Sequence, residues 1–111
     1  MAPTVWYHVR NLDEGRRFYR DLLGFEEIAV DFDRSWSTLQ RGEMEIGLAE
    51  GKPDDNGVAH VDVADLKGEA ERLREAGVVV GIVLELTGEM RLLDVYDPDG
   101  NRIQLAQELR A

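Results

Sequence analysis

Polar and apolar residues alternate over residues 4–9, which is the pattern of a half-buried β-strand. The two faces of this strand carry, in turn, Val5, Tyr7 and Val9, and Thr4, Trp6 and His8. The period then becomes helical, with Asn11 in position to cap the helix and Gly24 in position to end it. Three strand-like stretches follow, near residues 26–31, 35–41 and 43–49. The first half of the chain therefore predicts the order βαβββ.

The same order repeats after a polar, turn-rich connector at residues 52–57. Residues 58–63 alternate again, Asp65 is placed to cap a second helix that ends at Gly77, and strands follow near 78–86, 91–96 and 102–107. Val63 lies 54 residues after Val9 and holds the same place in its half. We predict one α+β domain over residues 1–111, with module 1 at about 4–50 and module 2 at about 57–107. The two βαβββ modules should form a curved, mostly antiparallel eight-stranded sheet with an open concave cleft.

Composition and charge narrow the class of partner. The 111 residues include 23 acidic and 13 basic side chains, for a net charge of −10. Such a chain is a poor partner for nucleic acids or anionic membranes, which are bound largely through Lys and Arg. The chain has no Cys, and its apolar runs fall short of the roughly 18 residues of a membrane span. We expect a cytoplasmic protein that binds neither nucleic acid nor membrane.

The strand parity also assigns side chains to the concave face. The candidates for this face, apart from Trp36, whose orientation the pattern leaves open, are Trp6, His8, Glu43, Glu45, Gly47, His60, Asp62, Arg102, Gln104 and Ala106. A concave wall of aromatic and polar side chains is typical of a small-molecule site, although the same pattern fits an ordinary solvated face. Glu43, Glu45 and Asp62 favour a cationic ligand, and the indole rings favour an aromatic one.

Two motifs resemble a known family. Val9-Arg10-Asn11-Leu12 followed by Phe18-Tyr19-Arg20-Asp21-Leu22-Leu23-Gly24-Phe25, and the closing Asp97-Pro98-Asp99-Gly100-Asn101, are similar to the vicinal oxygen chelate superfamily. That group includes glyoxalase I, extradiol dioxygenases, fosfomycin-resistance enzymes and bleomycin-resistance proteins. The resemblance implies the paired-module fold and a homodimer. It leaves the activity open because the superfamily hosts several chemistries. We interpret the Asp-Pro-Asp-Gly turn as structural.

The resemblance also implies four metal-ligand positions, on the first, fourth, fifth and eighth strands. They fall on Thr4, Gly47, Val58 and Gln104, with the register of Gly47 uncertain by two residues. None of these is a strong ligand, so we expect no cofactor. The alternative is a divalent metal at a non-standard site, where His8 and His60 are completed by Glu45 or Asp62.

Three functions follow. The favoured one is a glyoxalase/bleomycin-resistance-like binding protein that sequesters an aromatic or cationic organic molecule, for example an antibiotic. Its ligand-binding residues would be Trp6, His8, Trp36, Glu45, His60, Asp62, Arg102 and Gln104. The second is an enzyme of the same superfamily, a lyase, isomerase or dioxygenase, with His8, His60 and Asp62 as candidate catalytic residues for metal-assisted or acid–base chemistry. The third is an interaction module without a pocket.

Overall fold

The first module has the predicted βαβββ order. A computed structural model describes residues 5–53 and 57–109 of the chain. The elements of the first module are strand β1 (Val5–Val9), helix α1 (Leu12–Arg17), a π-helical turn (Phe18–Leu22), and strands β2 (Glu26–Asp31), β3 (Trp36–Arg41) and β4 (Met44–Glu50). Both the element order and the approximate bounds therefore agree with the prediction for this module.

The second module repeats the order with one strand divided. Its elements are β5 (Ala59–Asp62), α2 (Leu66–Glu75), β6 (Val79–Val80), β7 (Leu84–Leu86), β8 (Met90–Tyr96) and β9 (Arg102–Glu108). The strand predicted near 78–86 is interrupted because residues 81–83 lie opposite only residues 93 and 94 of β8. Within this bulge the backbone N–H of Gly81 still donates to the carbonyl of Asp94 at 2.8 Å. The structure thus has nine described strands where the pattern predicted eight.

Each module forms its own open sheet, so the described strands lie in two sheets and not in the single eight-stranded sheet that the pattern predicted. The strand order is β1-β4-β3-β2 in the first sheet and β5-β9-β8-β6 in the second, where β7 also pairs with β8. The first and last strands of each module pair in parallel, β1 with β4 and β5 with β9, and the other pairs are antiparallel. The matching orders confirm the repeat that the sequence predicted, and the α+β fold class is confirmed with it.

Both helices begin where the sequence placed their caps. The Asn11 side chain accepts a hydrogen bond from the backbone N–H of Glu14 at 3.0 Å, and Asp65 accepts one from Gly68 at 3.1 Å. One face of each sheet is buried in a single apolar core, including the alternating strand residues Ile46, Leu48, Ile103 and Leu105. No helix among the described residues is long and apolar enough to cross a membrane. The opposite face of each sheet lies outside this core.

A bulge in β2 sets which residues reach that opposite face. The pairing with β3 shifts at Ile28, between the Glu27–Leu39 and Ala29–Thr38 pairs. Glu27 therefore turns to the helix side, where its carboxylate accepts hydrogen bonds from Arg16 at 2.6 and 2.7 Å and from the Ser37 hydroxyl at 2.7 Å. These hydrogen bonds, those from Arg16 first, lower the pKa of Glu27.

The closing turn, residues 97–101 between β8 and β9, connects the two modules. Asp97 is buried, and its two carboxylate oxygens accept hydrogen bonds from the Tyr19 hydroxyl at 2.7 Å and from Asn101 and Asp99 at 2.9 Å. The Asn101 amide also donates to the carbonyl of His8 in β1 at 2.9 Å. The Asp-Pro-Asp-Gly motif is thus structural, as the sequence indicated, and it also joins module 2 to module 1.

Tyr7 makes a second connection between the modules. Its hydroxyl donates to the carbonyl of Arg102 at 2.5 Å and accepts from the backbone N–H of Ala59 at 2.7 Å. Its ring stacks on that of Tyr19, with centroids 5.9 Å apart. Burial raises the pKa of Tyr7 to about 12 and raises that of Tyr19 too, where the charge of Asp97 adds to the effect. Both hydroxyls therefore stay protonated and available as donors at neutral pH.

Candidate functional site

The ladders of the first sheet determine which side chains share its open face. Residues that are paired across a ladder point to the same side of the sheet. Two neighbouring rows cross the four strands in the order β1, β4, β3, β2, and they are Trp6–Gly47–Thr38–Ala29 and His8–Ala49–Trp36–Asp31. Trp36, which the sequence could not orient, thus lies on the same face as Trp6 and His8.

The two indole rings meet at the centre of this face. Their centroids are 6.5 Å apart and their planes are inclined by 77°, an edge-to-face arrangement. Trp6 is 39% exposed even though its ring packs over Gly47. His8 lies beside them, with its ring facing Gly51, where an added Cβ would come 3.3 Å from the imidazole. The predicted aromatic wall therefore includes both tryptophans.

The electrostatic character of this face is acidic. Glu45 and Glu26 lie in the row next to Trp6, and Asp31 ends the row that contains Trp36. Among the strand residues of the first sheet, Arg41 is the sole Lys or Arg, and it points to the helix side, where it pairs with Glu69 at 2.8 Å. Arg34 reaches Asp31 at 4.0 Å from the β2–β3 turn.

The open face of the second sheet carries the other candidates. His60 pairs in register with Gln104, and Asp62 pairs with Ala106. The His60 ring lies 3.4 Å from a carboxylate oxygen of Asp62 and 3.3 Å from the amide oxygen of Gln104. The Asp62 side chain is 91% exposed, so this is a surface cluster with water on one side. Arg102, the remaining predicted residue of this face, contacts Asp94 at 3.5 Å.

One pocket joins part of this cluster to the first module. Its volume is about 240 Å³, and its lining is Arg41, Gly42, Glu43, Met44, His60, Val61 and Asp62. Glu43 was predicted on the face of β4, but it lies in the β3–β4 turn, because β4 begins at Met44. Trp6, His8 and Trp36 do not line this pocket. The predicted site residues thus form two groups, an aromatic one on the first sheet and a His60 one on the second.

The residues at the expected metal positions do not fit a metal ion. Gly47 has no side chain, and the ring of Trp6 occupies the space that one would need. Val58 has no donor atom, Gln104 is engaged with His60, and Thr4 lies outside the described residues. For the alternative non-standard set, the described residues contain no group of three or more His, Asp or Glu side chains placed to share one ion.

Several residues of the aromatic face were not predicted: Ala49, Thr38, Gln40, Ala29, Asp31 and Glu26. Thr38 and Gln40 share the parity of Trp36, which the pattern left open, and the β2 bulge brings Ala29 and Asp31 to the same face as Glu26. The non-alternating run Glu26-Glu27-Ile28-Ala29 was the available signal, since two adjacent polar residues followed by two apolar ones do not fit an unbroken half-buried strand.

Solved structures with the same fold include an integron cassette protein, a fosfomycin resistance protein and a bleomycin-binding protein. An integron cassette protein from the mobile metagenome of a Halifax Harbour sewage outfall is 24% identical, with a TM-score of 0.81 over 93% of this chain and 94% of that one. The fosfomycin resistance protein FosX from Listeria monocytogenes, complexed with Mn(II) and sulfate, is 18% identical, with a TM-score of 0.79 over 97% and 89%. A bleomycin-binding protein from Streptomyces verticillus, complexed with copper(II)-bleomycin, is 21% identical, with a TM-score of 0.70 over 95% and 94%.

The family follows from the sequence match together with this fold. No curated protein sequence matches the chain significantly. The family model described as the Glyoxalase/Bleomycin resistance protein/Dioxygenase superfamily matches residues 3–105, nearly the whole chain. The chain belongs to the glyoxalase/bleomycin resistance protein/dioxygenase superfamily.

Proposed function

We propose that this protein binds a small aromatic or cationic organic molecule reversibly, without a metal cofactor, and so sequesters it, as an antibiotic-resistance protein does. The observation that carries this proposal is the pair of indole rings on an open, acidic sheet face. Trp6 is partly exposed there although neighbouring apolar side chains on the other face are fully buried. An exposed aromatic pair stabilises a bound ring by stacking, and it attracts cations through its π-faces.

The second sheet contributes polar recognition in this proposal. His60 and Gln104 provide hydrogen-bonding groups within 3.3 Å of each other, and Asp62 and Arg102 provide charges of opposite sign. A ligand that spans both faces would stack on one and form hydrogen bonds with the other. The copper(II)-bleomycin complex of the similar Streptomyces verticillus protein is consistent with such a ligand class.

Native mass spectrometry of the freshly purified protein tests this proposal directly. It reports the number of subunits, any bound metal and any copurified small molecule in one spectrum. An identified ligand is then incubated with the protein and recovered, and we expect it to be returned unchanged. The change Trp6→Ala or His60→Ala should weaken its binding, whereas Phe32→Ala, which removes a 61% exposed ring from the β2–β3 turn, should not. A stoichiometric divalent metal, or unaltered binding in both site variants, contradicts the proposal.

We propose further that the protein is a cytoplasmic homodimer. Val79, Ile82, Leu84 and Leu86 are each about half exposed or more, and they follow one another along the β6–β7 edge of the second sheet. Several exposed apolar side chains along one sheet edge are typical of a covered surface. Sedimentation equilibrium should give the mass of two chains, and Leu84→Glu should shift it toward one. Glu71→Arg on the exposed face of α2 is the control.

A second candidate function is acid–base catalysis at His60. Gln104 lies 3.3 Å from Nδ1 and can hold the ring, while Nε2 faces the 91% exposed carboxylate of Asp62 at 3.4 Å, which a substrate would have to displace before Nε2 could exchange a proton with it. In this case the recovered ligand would be chemically altered. His60→Ala would then abolish the conversion while Trp6→Ala would affect mainly ligand affinity.

A further inference from the structure

The indole of Trp6 lies over the backbone of Gly47 and occupies the space that a side chain at this residue would need. A Cβ atom built at residue 47 would come 2.6 Å from Cζ3 of Trp6 and closer still to Cδ2 and Cε3. Real Cβ atoms are essentially never so close to another heavy atom, so any side chain at this position would displace the ring. The indole therefore depends on the absence of a side chain at residue 47.

The orientation of the ring follows from the same contacts. The three atoms that block the Cβ belong to the six-membered ring and are almost equally distant from it. The ring consequently lies across the direction in which a side chain leaves the sheet, that is, roughly parallel to the sheet surface. Trp36, inclined by 77° to Trp6, then stands upright beside it. Trp6 forms the floor and Trp36 the wall of a right-angled corner.

The surroundings of this corner favour positive charge. Glu45 lies two residues before Gly47 on the same face of β4, and Glu26 lies in the same row as Glu45. The face receives no Lys or Arg from the described strands of the first sheet, because Arg41 points to the helix side. The faces of both indole rings also carry the negative end of their quadrupoles. A neutral ring gains only the stacking, whereas a cationic ring gains the charge interaction as well.

We propose that the Trp6–Trp36 corner is a binding site for a planar aromatic cation, and that Gly47 determines this specificity. The inference rests on the proposed function and specifies the class of its ligand. At the fourth-strand position, for which the family resemblance implies a metal-binding carboxylate, this chain places the indole instead. The site thus recognises a positively charged organic ring through the π-faces of the indoles and the nearby carboxylates. A metal ion at this position would instead bind oxygen atoms of a ligand.

A matched pair of probes tests the role of charge. N-methylquinolinium is a planar cation, and quinoline, measured at pH 8, is its neutral counterpart. The chain has two tryptophans, so its NMR spectrum contains two indole N–H signals, which Trp36→Phe assigns. We expect N-methylquinolinium to shift both signals in a saturable manner and to bind roughly 5- to 30-fold more tightly than quinoline. Glu45→Gln should reduce this preference and leave the affinity for quinoline unchanged.

Variants at residue 47 test the role of the glycine. Gly47→Ala should force the Trp6 ring off the backbone, reduce the near-ultraviolet circular dichroism of the indole pair, and weaken N-methylquinolinium binding at least about fivefold. Gly81→Ala is the matched control, because its added Cβ would meet only ordinary contacts of 3.7 and 3.8 Å with Asp94. Trp6→Leu removes the ring while keeping an apolar side chain, and it covers the case in which Gly47→Ala fails to fold.

Three results would overturn the inference. Equal affinity for the two probes would show that the face selects rings and not charge. Binding that survives in both folded Gly47→Ala and Trp6→Leu would place the ligand elsewhere. Absence of any shift with N-methylquinolinium would exclude the aromatic-cation class. The wider proposal of reversible binding is tested separately, by whether a copurified or screened ligand is bound and returned intact.

Discussion

The hydrogen bond between Tyr19 and Asp97 is expected to contribute substantially to stability, because it joins the two modules inside the core. Tyr19→Phe removes only the hydroxyl group. The phenyl ring can keep the contacts of the native ring with Tyr7, Phe18 and Phe25, whose centroids lie between 5.2 and 5.9 Å away. The change therefore separates the effect of one hydrogen bond, between residues 78 positions apart in the sequence, from the effect of the packing around it.

Its magnitude follows from burial and charge. Tyr19 is fully buried and Asp97 is 5% exposed, so water cannot replace the lost donor. A hydrogen bond to a charged group contributes about 1.5–3 kcal/mol. Asp97 keeps its bonds from Asn101 and Asp99, so its carboxylate is not left without partners. We expect the free energy of unfolding to fall by about 2 kcal/mol, and the melting temperature to fall by roughly 8 °C for a domain of this size.

Urea unfolding followed by circular dichroism measures this effect. With a slope of about 1–2 kcal/mol per molar urea, the midpoint should move down by roughly 1–2 M. Tyr96→Phe is the control, since it makes the same chemical change at a half-buried tyrosine of β8. A loss below about 0.5 kcal/mol, or one equal to that of the control, would refute the view that the closing turn fastens the modules together.

Three further predictions concern pH and helix capping. The pKa of Tyr7 rises from 10.0 to about 12 on folding, so the folded state holds this proton more tightly than the unfolded state does. The contribution of Tyr7 to the free energy of unfolding is therefore fully present below pH 10 and decreases by roughly 3 kcal/mol between pH 10 and 12. Denaturation curves measured over this pH range should show a smaller decrease for Tyr7→Phe. The pKa of Glu27 is lowered from 4.5, so the contribution of this carboxylate to stability is present above pH 4.5 and is lost as the pH falls through the folded-state pKa. Glu27→Gln should lower the free energy of unfolding by about 1–3 kcal/mol at pH 7, and the variant and the native protein should become equally stable in acid. A stability difference that is constant with pH would contradict the assignment of the pKa shift to Arg16. Asp65→Ala should cost about 1 kcal/mol in thermal unfolding, because the N–H of Gly68 loses its cap; no change would mean that water replaces it fully.

The sequence predicted the fold well because its signals were local. The helix caps at Asn11 and Asp65 and the alternation in β1, β4 and β9 are set by residues close together in the chain. The division of β6 from β7 and the bulge at Ile28 were missed, because each depends on which residue of a partner strand lies opposite. The bond from Tyr19 to Asp97 was missed for a similar reason, since the turn chemistry of residues 97–100 gives no sign of a donor 78 residues away.

The candidate site could be predicted as a set of side chains but not as an arrangement. Parity placed Trp6, His8, His60 and Asp62 on one concave face, whereas the structure has the first two on the open face of the first sheet and the last two on that of the second. Parity gives no distances, so it could not separate the aromatic group of the first sheet from the His60 group of the second. Nor could it reveal that Trp6 covers Gly47, since this contact depends on the rotamer of the indole.

The two modules use equivalent positions for different chemistry. Trp6 lies three residues before Val9, and His60 lies three residues before Val63, so the repeat makes them counterparts. Their ladder partners are Gly47 and Gln104 respectively. A glycine partner lets the indole lie flat on the strand, whereas a glutamine partner holds the imidazole by its amide oxygen. The same backbone framework therefore presents a flat apolar surface in one module and a hydrogen-bonding group in the other.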